Sequence, residues 1–146
     1  MIRVITKVYS WWLLTLGPIV FVYALGPWID STYFPVVDPF VVVSSENSNG
    51  QLVIRGWMDK KRPRCKTREV YAILQDTQGL PNVADINFKE TATSKAVVTR
   101  PGGVQSWGPW TIPVNPTTNA VLIRTRHSCQ PLWDTISEFP VYEKQP

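Results

Sequence analysis

Apolar residues fall along this chain in two regimes. From Val8 to Ile29 the sequence reads VYSWWLLTLGPIVFVYALGPWI, 22 residues without a charge. Beyond residue 39, apolar positions alternate with polar ones in short runs broken by Asn, Ser, Gly and Pro. The first regime predicts a membrane-crossing helix, since at about 1.5 Å per residue it would run about 33 Å against a hydrocarbon core of about 30 Å. Tyr9, Trp11 and Trp12 at its start and Trp28 near its exit suit the two headgroup levels. Gly17-Pro18 predicts a kink, and Gly26-Pro27 the end of the regular helix. Arg3 and Lys7 precede the span, Asp30 and Asp38 follow it, and no basic residue returns before Arg55. That asymmetry predicts an N-terminal arm, residues 1–7, in the cytoplasm, an anchor at 8–29 in the inner (cytoplasmic) membrane, and an exported C-terminal part. A cleaved signal peptide is the alternative, with Val22-Tyr23-Ala24 as its cleavage site, but the apolar run continues past it to Trp28 and Ile29.

Residues 30–39 carry Pro35 and Pro39 and are expected to form an extended linker. The second regime, residues 40–146, predicts short strands. Phe40–Ser44 comes first, followed by a turn at Glu46–Gly50. Gln51–Asp59 places Leu52, Ile54 and Met58 on one face, and Glu69–Gln75 places Val70, Ala72 and Leu74 together. Ala96–Thr99 is short; Trp110, Ile112 and Val114 share a face. Asn119–Cys129 has Val121, Ile123 and Thr125 on one side and Arg124 and Arg126 on the other, and Ser137–Tyr142, containing Pro140, suits an edge strand. About seven short strands over about 110 residues predict an all-β, immunoglobulin-like antiparallel sandwich behind one transmembrane helix. A five- or six-stranded barrel is the structural alternative.

Composition narrows the field. The 146 residues are 44% hydrophobic and 18% charged, which excludes bulk disorder, and thirteen prolines disfavour a long-helix bundle. The net charge of +4 resembles a nucleic-acid signal until it is located: six cations sit in Lys60–Arg68, and without them the stretch from Asp30 to Pro146 has 7 basic against 11 acidic residues. No nucleic-acid partner is therefore expected.

Cys65 and Cys129 are the only cysteines, and both lie beyond the span, so a disulfide is the simplest expectation in an oxidising compartment. Zinc through Cys65, His127 and Cys129 is the weaker alternative, because a fourth ligand is missing; no metal or cofactor is expected. The stretch Gly56-Trp57-Met58-Asp59-Lys60-Lys61-Arg62-Pro63-Arg64-Cys65, together with Arg126-His127-Ser128-Cys129-Gln130-Pro131-Leu132-Trp133, resembles small bacteriophage-encoded proteins of unknown function. Those proteins share an N-terminal hydrophobic segment and an H-x-C-x-P-L-W pattern. The resemblance implies a phage or prophage origin and no activity.

Lys60, Lys61, Arg62, Arg64, Lys66 and Arg68 form a candidate anion-binding loop for lipopolysaccharide, phospholipid headgroups, teichoic acid or an acidic protein patch; a solvated strand connection is the plainer expectation. Trp107, Trp110 and Trp133 are candidates for an aromatic surface that stacks on sugars or prolines, with core bulk as the alternative. No nucleophile elbow, zincin motif or phosphate-binding glycine loop occurs, and the single His127 has no acid nearer in sequence than Asp134, so an enzyme is not expected. The expected function is binding at the host cell envelope by a membrane-anchored domain, in superinfection exclusion or as a lysis accessory. A structural component of a virion or membrane complex is the alternative, and a cell-envelope hydrolase the weaker one.

Overall fold

The computed structural model describes residues 2–88 and 100–144, with side chains from residue 11 onward. The expected strand Ala96–Thr99 lies outside the described residues.

Helix α1 (Ile2–Val20) passes into a π-helical turn, Phe21–Leu25, and then into α2 (Gly26–Tyr33). The Gly26 N–H bonds Phe21 O, five residues back, and Pro27 opens α2 in its first turn. Proline has no N–H to donate, and its ring crowds the carbonyl four residues earlier; one widened turn absorbs both problems. Gly26-Pro27 therefore does not end the helix as expected. The stretch Trp11–Tyr33 is long and apolar enough to cross a membrane, with a mean hydropathy of 1.6.

The expected linker is also shorter than its sequence suggests. Helix continues to Tyr33, and the Phe34 N–H bonds Asp30 O at 3.0 Å. Strand β1 begins at Val37, so only Phe34–Val36 connects them. Val36 is fully buried, so hydrophobic burial draws this segment into the domain where prolines alone would have kept it extended.

Eight strands follow among the described residues: β1 (Val37–Ser48), β2 (Gln51–Lys60), β3 (Lys66–Asp76), β4 (Pro81–Ala84), β5 (Asn87–Phe88), β6 (Gly103–Pro113), β7 (Thr118–Ser128) and β8 (Asp134–Glu143). They form two antiparallel sheets, ordered β1-β2-β6-β5 and β4-β3-β7-β8. The two sheets close on one shared core, a sandwich-like arrangement. The first hairpin is tighter than expected: Asn49 and Gly50 both take positive φ, the conformation a two-residue type I′ turn needs, while Glu46–Ser48 remain in β1.

Alternation builds the core. Leu52, Ile54 and Met58 of β2, Ala72 and Leu74 of β3, and Val121 and Ile123 of β7 are buried together. Trp107 and Trp110 are three residues apart, yet both point inward, because a register shift opposite Ile54–Gly56 inserts an extra residue into the ladder. Phe40 of β1 stacks between Trp107 (centroids 4.6 Å) and Phe139 of β8 (4.4 Å), joining the sheets. Gly56 lies under this cluster, where an added Cβ would be 1.9 Å from the Val41 carbonyl oxygen.

Candidate functional site: the helix-docking end of the sandwich

The expected disulfide is present between Cys65 and Cys129. It joins the start of β3 to the end of β7, neighbouring strands in which Lys66 pairs with Ser128. An immunoglobulin cystine would instead bridge the two sheets. With both sulfurs in this bond, neither cysteine can supply a thiolate to zinc. Among the described residues, no cluster of three His, Cys, Asp or Glu side chains could hold a metal.

The six cations do not form one loop. Only residues 61–65 connect β2 to β3; Lys60 ends β2, while Lys66 and Arg68 belong to β3. Lys60 faces inward, 4% exposed, and donates to the Arg100 carbonyl at 3.0 Å. Lys61 pairs with Asp59 at 2.6 Å. Arg62 donates through Nη1 to Asp30 Oδ1 at 2.9 Å and to the Phe34 carbonyl at 3.1 Å. Arg68 lies 3.6 Å from Asp134, which also accepts from Arg126 at 2.7 Å. Arg64 and Lys66 are exposed and have no carboxylate partner among the described residues. The continuous anion-binding loop is thus corrected to two uncommitted cations and a third that shares Asp134. They line an open cleft of about 520 Å³ with Ser128, Gln130 and Pro131.

The Arg62–Asp30 pair shows what the rest of the run does. Asp30 lies near the end of α2, and its second oxygen accepts a hydrogen bond from the Thr135 hydroxyl of β8. Its side chain is 12% exposed, so charge-assisted bonds to two distant partners act where water screens them little. Beside it, Trp133 lies against Gly26 so closely that a Cβ there would come within 2.8 Å of the indole. Helix, β2–β3 connection and β7–β8 connection are therefore fastened at one end of the sandwich. The opposite end carries the Asn49-Gly50 turn and the β6–β7 turn, tied by the Val114 N–H to Gly50 O at 2.9 Å.

The aromatic-surface candidates are also corrected. Trp107 and Trp110 are 2% and 4% exposed in the core, and Trp133 is half-buried against the helix. Large rings offer the most burial at an inter-sheet position, and the core captured them.

Between the sheets, a small cavity of about 20 Å³ is lined by Lys60, Thr67, Arg100, Trp110, Thr125 and His127. His127 is 3% exposed, and its Nδ1 has no hydrogen-bond partner among the described residues. Burial, followed by the nearby Lys60 and Arg62 cations, holds its imidazole down to about 4. Burial also lowers the Lys60 ammonium and the Arg100 guanidinium from their ordinary values. The chain's only histidine is thus neutral and enclosed at physiological pH.

Asp30, Lys60 and Arg100 are the residues whose structural roles the sequence reasoning missed. Lys60 was detectable: Leu52, Ile54, Gly56 and Met58 alternate inward, and one more step of two reaches it. The same parity carries Val121, Ile123 and Thr125 on to His127. Asp30 carried no local signal, since its partners are 32 and 105 residues away.

No protein-family model, curated protein or solved structure matches this chain.

Proposed function

We propose that this chain is a single-pass protein of the inner membrane, with its N-terminus in the cytoplasm, whose exported sandwich makes binding interactions at the cell envelope. The observation that carries this reading is the docked helix end. An apolar helix long enough to span runs directly into the domain, and Asp30 fastens it to both Arg62 and Thr135. The charge asymmetry around the span supports the orientation. The cystine supports export, since such bonds persist in oxidising compartments. Binding is favoured over catalysis because the chain's only histidine is enclosed and the exposed cations form an open cleft. An envelope protein or an anionic lipid or glycan is the class of partner. The stretches around Cys65 and Cys129 that resemble phage proteins make host-envelope roles, superinfection exclusion or lysis, the setting of this proposal.

An exported-only reporter such as alkaline phosphatase, fused after Pro146, should be active, and the full chain should stay in the membrane pellet after alkaline extraction. An expressed but inactive fusion would overturn the orientation, and extraction at high pH would overturn the anchor.

A further inference from the structure

We propose that the helix-docking end of the sandwich rests on the bilayer and that the Arg64–Lys66–Arg68 cleft takes the phosphate of an anionic phospholipid headgroup. This rests on the anchoring read above and assigns the uncommitted cations a partner.

Position comes first. Arg62, which holds Asp30 at the helix end, is two residues from Arg64, and Cys65 ties this connection to Cys129 beside Pro131. Trp133, two residues further on, packs against Gly26. The cleft therefore lies at the height where the helix leaves the membrane. With Trp28 at the hydrocarbon boundary, Tyr33 stands about 7.5 Å higher at about 1.5 Å per residue. That rise spans a headgroup layer of about 5–7 Å.

Two further observations agree. Trp28, Tyr33, Phe34 and Leu132 expose 57%, 65%, 59% and 51% of their surface around the same end. Four large apolar groups in water at one pole are costly; at the headgroup level they are favourable. Charge is also complementary. Lys61 and Arg62 are neutralised by Asp59 and Asp30, and the Asp134 carboxylate is shared between Arg68 and Arg126, which also lies 3.5 Å from Glu69. The remaining cations, Arg64 and Lys66, face the cleft. Because the Asp30 clamp makes helix end and cleft one body, binding a headgroup needs no domain reorientation.

The test uses the full chain in nanodiscs of neutral phosphatidylcholine, with or without about one-third phosphatidylglycerol, an anionic surface of the kind that attracts basic segments. Hydrogen exchange is read at residues 62–67 and 128–133. Each cation near an anionic surface is worth about a fivefold factor, so exchange at this end should slow by about an order of magnitude in the anionic discs. The gain should disappear in R64Q/K66Q and at high salt, and remain in K144Q at the far end. Equal exchange in both discs, or an undiminished gain in R64Q/K66Q, overturns the headgroup site and leaves the anchor standing. Equal slowing by inorganic phosphate added to neutral discs overturns the lipid assignment. A chain that fails to enter either disc overturns the anchor and the footing together.

Discussion

Acid should destabilise the sandwich through one group, His127. Its side chain is 3% exposed between the sheets, and burial together with Lys60 and Arg62 lowers its ionisation from 6.5 to about 4. In the unfolded chain the imidazole binds its proton near pH 6.5; in the fold it does so only near pH 4. Between those values the unfolded state holds more protons, so stability rises with pH across the window and falls as pH drops through it. The full separation corresponds to about 3 kcal/mol, lost progressively from pH 6.5 to 4 and complete below. As this is the only histidine in the chain, its ring gives a single imidazole signal by NMR, which should titrate near 4 in the folded protein. Urea unfolding of the full chain in neutral detergent, followed by tryptophan fluorescence, gives the stability at each pH. His127→Gln removes the titration and should flatten the wild-type slope in this window by about the same 3 kcal/mol. Lys60→Met removes one neighbouring cation and should raise the imidazole toward its ordinary value. A midpoint near 6.5 in the folded chain, or an unchanged slope in His127→Gln, refutes the burial argument.

Three further outcomes are expected. Intact mass after alkylation without reductant should show no free thiol, and Cys129→Ser should cost about 4 kcal/mol, the chain-entropy value for a loop spanning 64 positions; a negligible change in unfolding midpoint would mean that native strain cancels it. Asp30→Ala removes bonds to Arg62 and Thr135 that are each worth about 1.5–3 kcal/mol when charged, so protease sensitivity should rise at residues 31–36 while the cystine persists; unchanged cleavage there would show that packing of Trp133 on Gly26 suffices. Gly56→Ala should cost about 3 kcal/mol or more, because its methyl group meets the Val41 carbonyl, and a fully stable variant in a melting assay would refute that close approach.

What was legible in the sequence is what repeats locally. The charge-free run from Val8, the alternation of Leu52, Ile54 and Met58, the Asn-Gly turn and the proline of an edge strand each express a period or a backbone preference within a few residues. The apolar helix, the longer strands and their all-β arrangement followed from them, while the short strands β4 and β5 left no such signal; the cystine followed from there being two cysteines, both beyond the span. Tertiary structure decided the rest, because burial and charge pairing depend on residues far apart in sequence. Six cations within nine residues look equivalent along the chain, yet inward parity buries Lys60, a carboxylate 32 residues away takes Arg62, and among the described residues Arg64 and Lys66 have no carboxylate partner. The same holds for the tryptophans. Nothing local distinguishes a surface ring from a core ring; the register shift beside Gly56 turns both Trp107 and Trp110 inward. Asp30 is the clearest case, a flanking charge in the sequence and a structural clamp in the fold, since only packing brings Arg62 and Thr135 to one carboxylate.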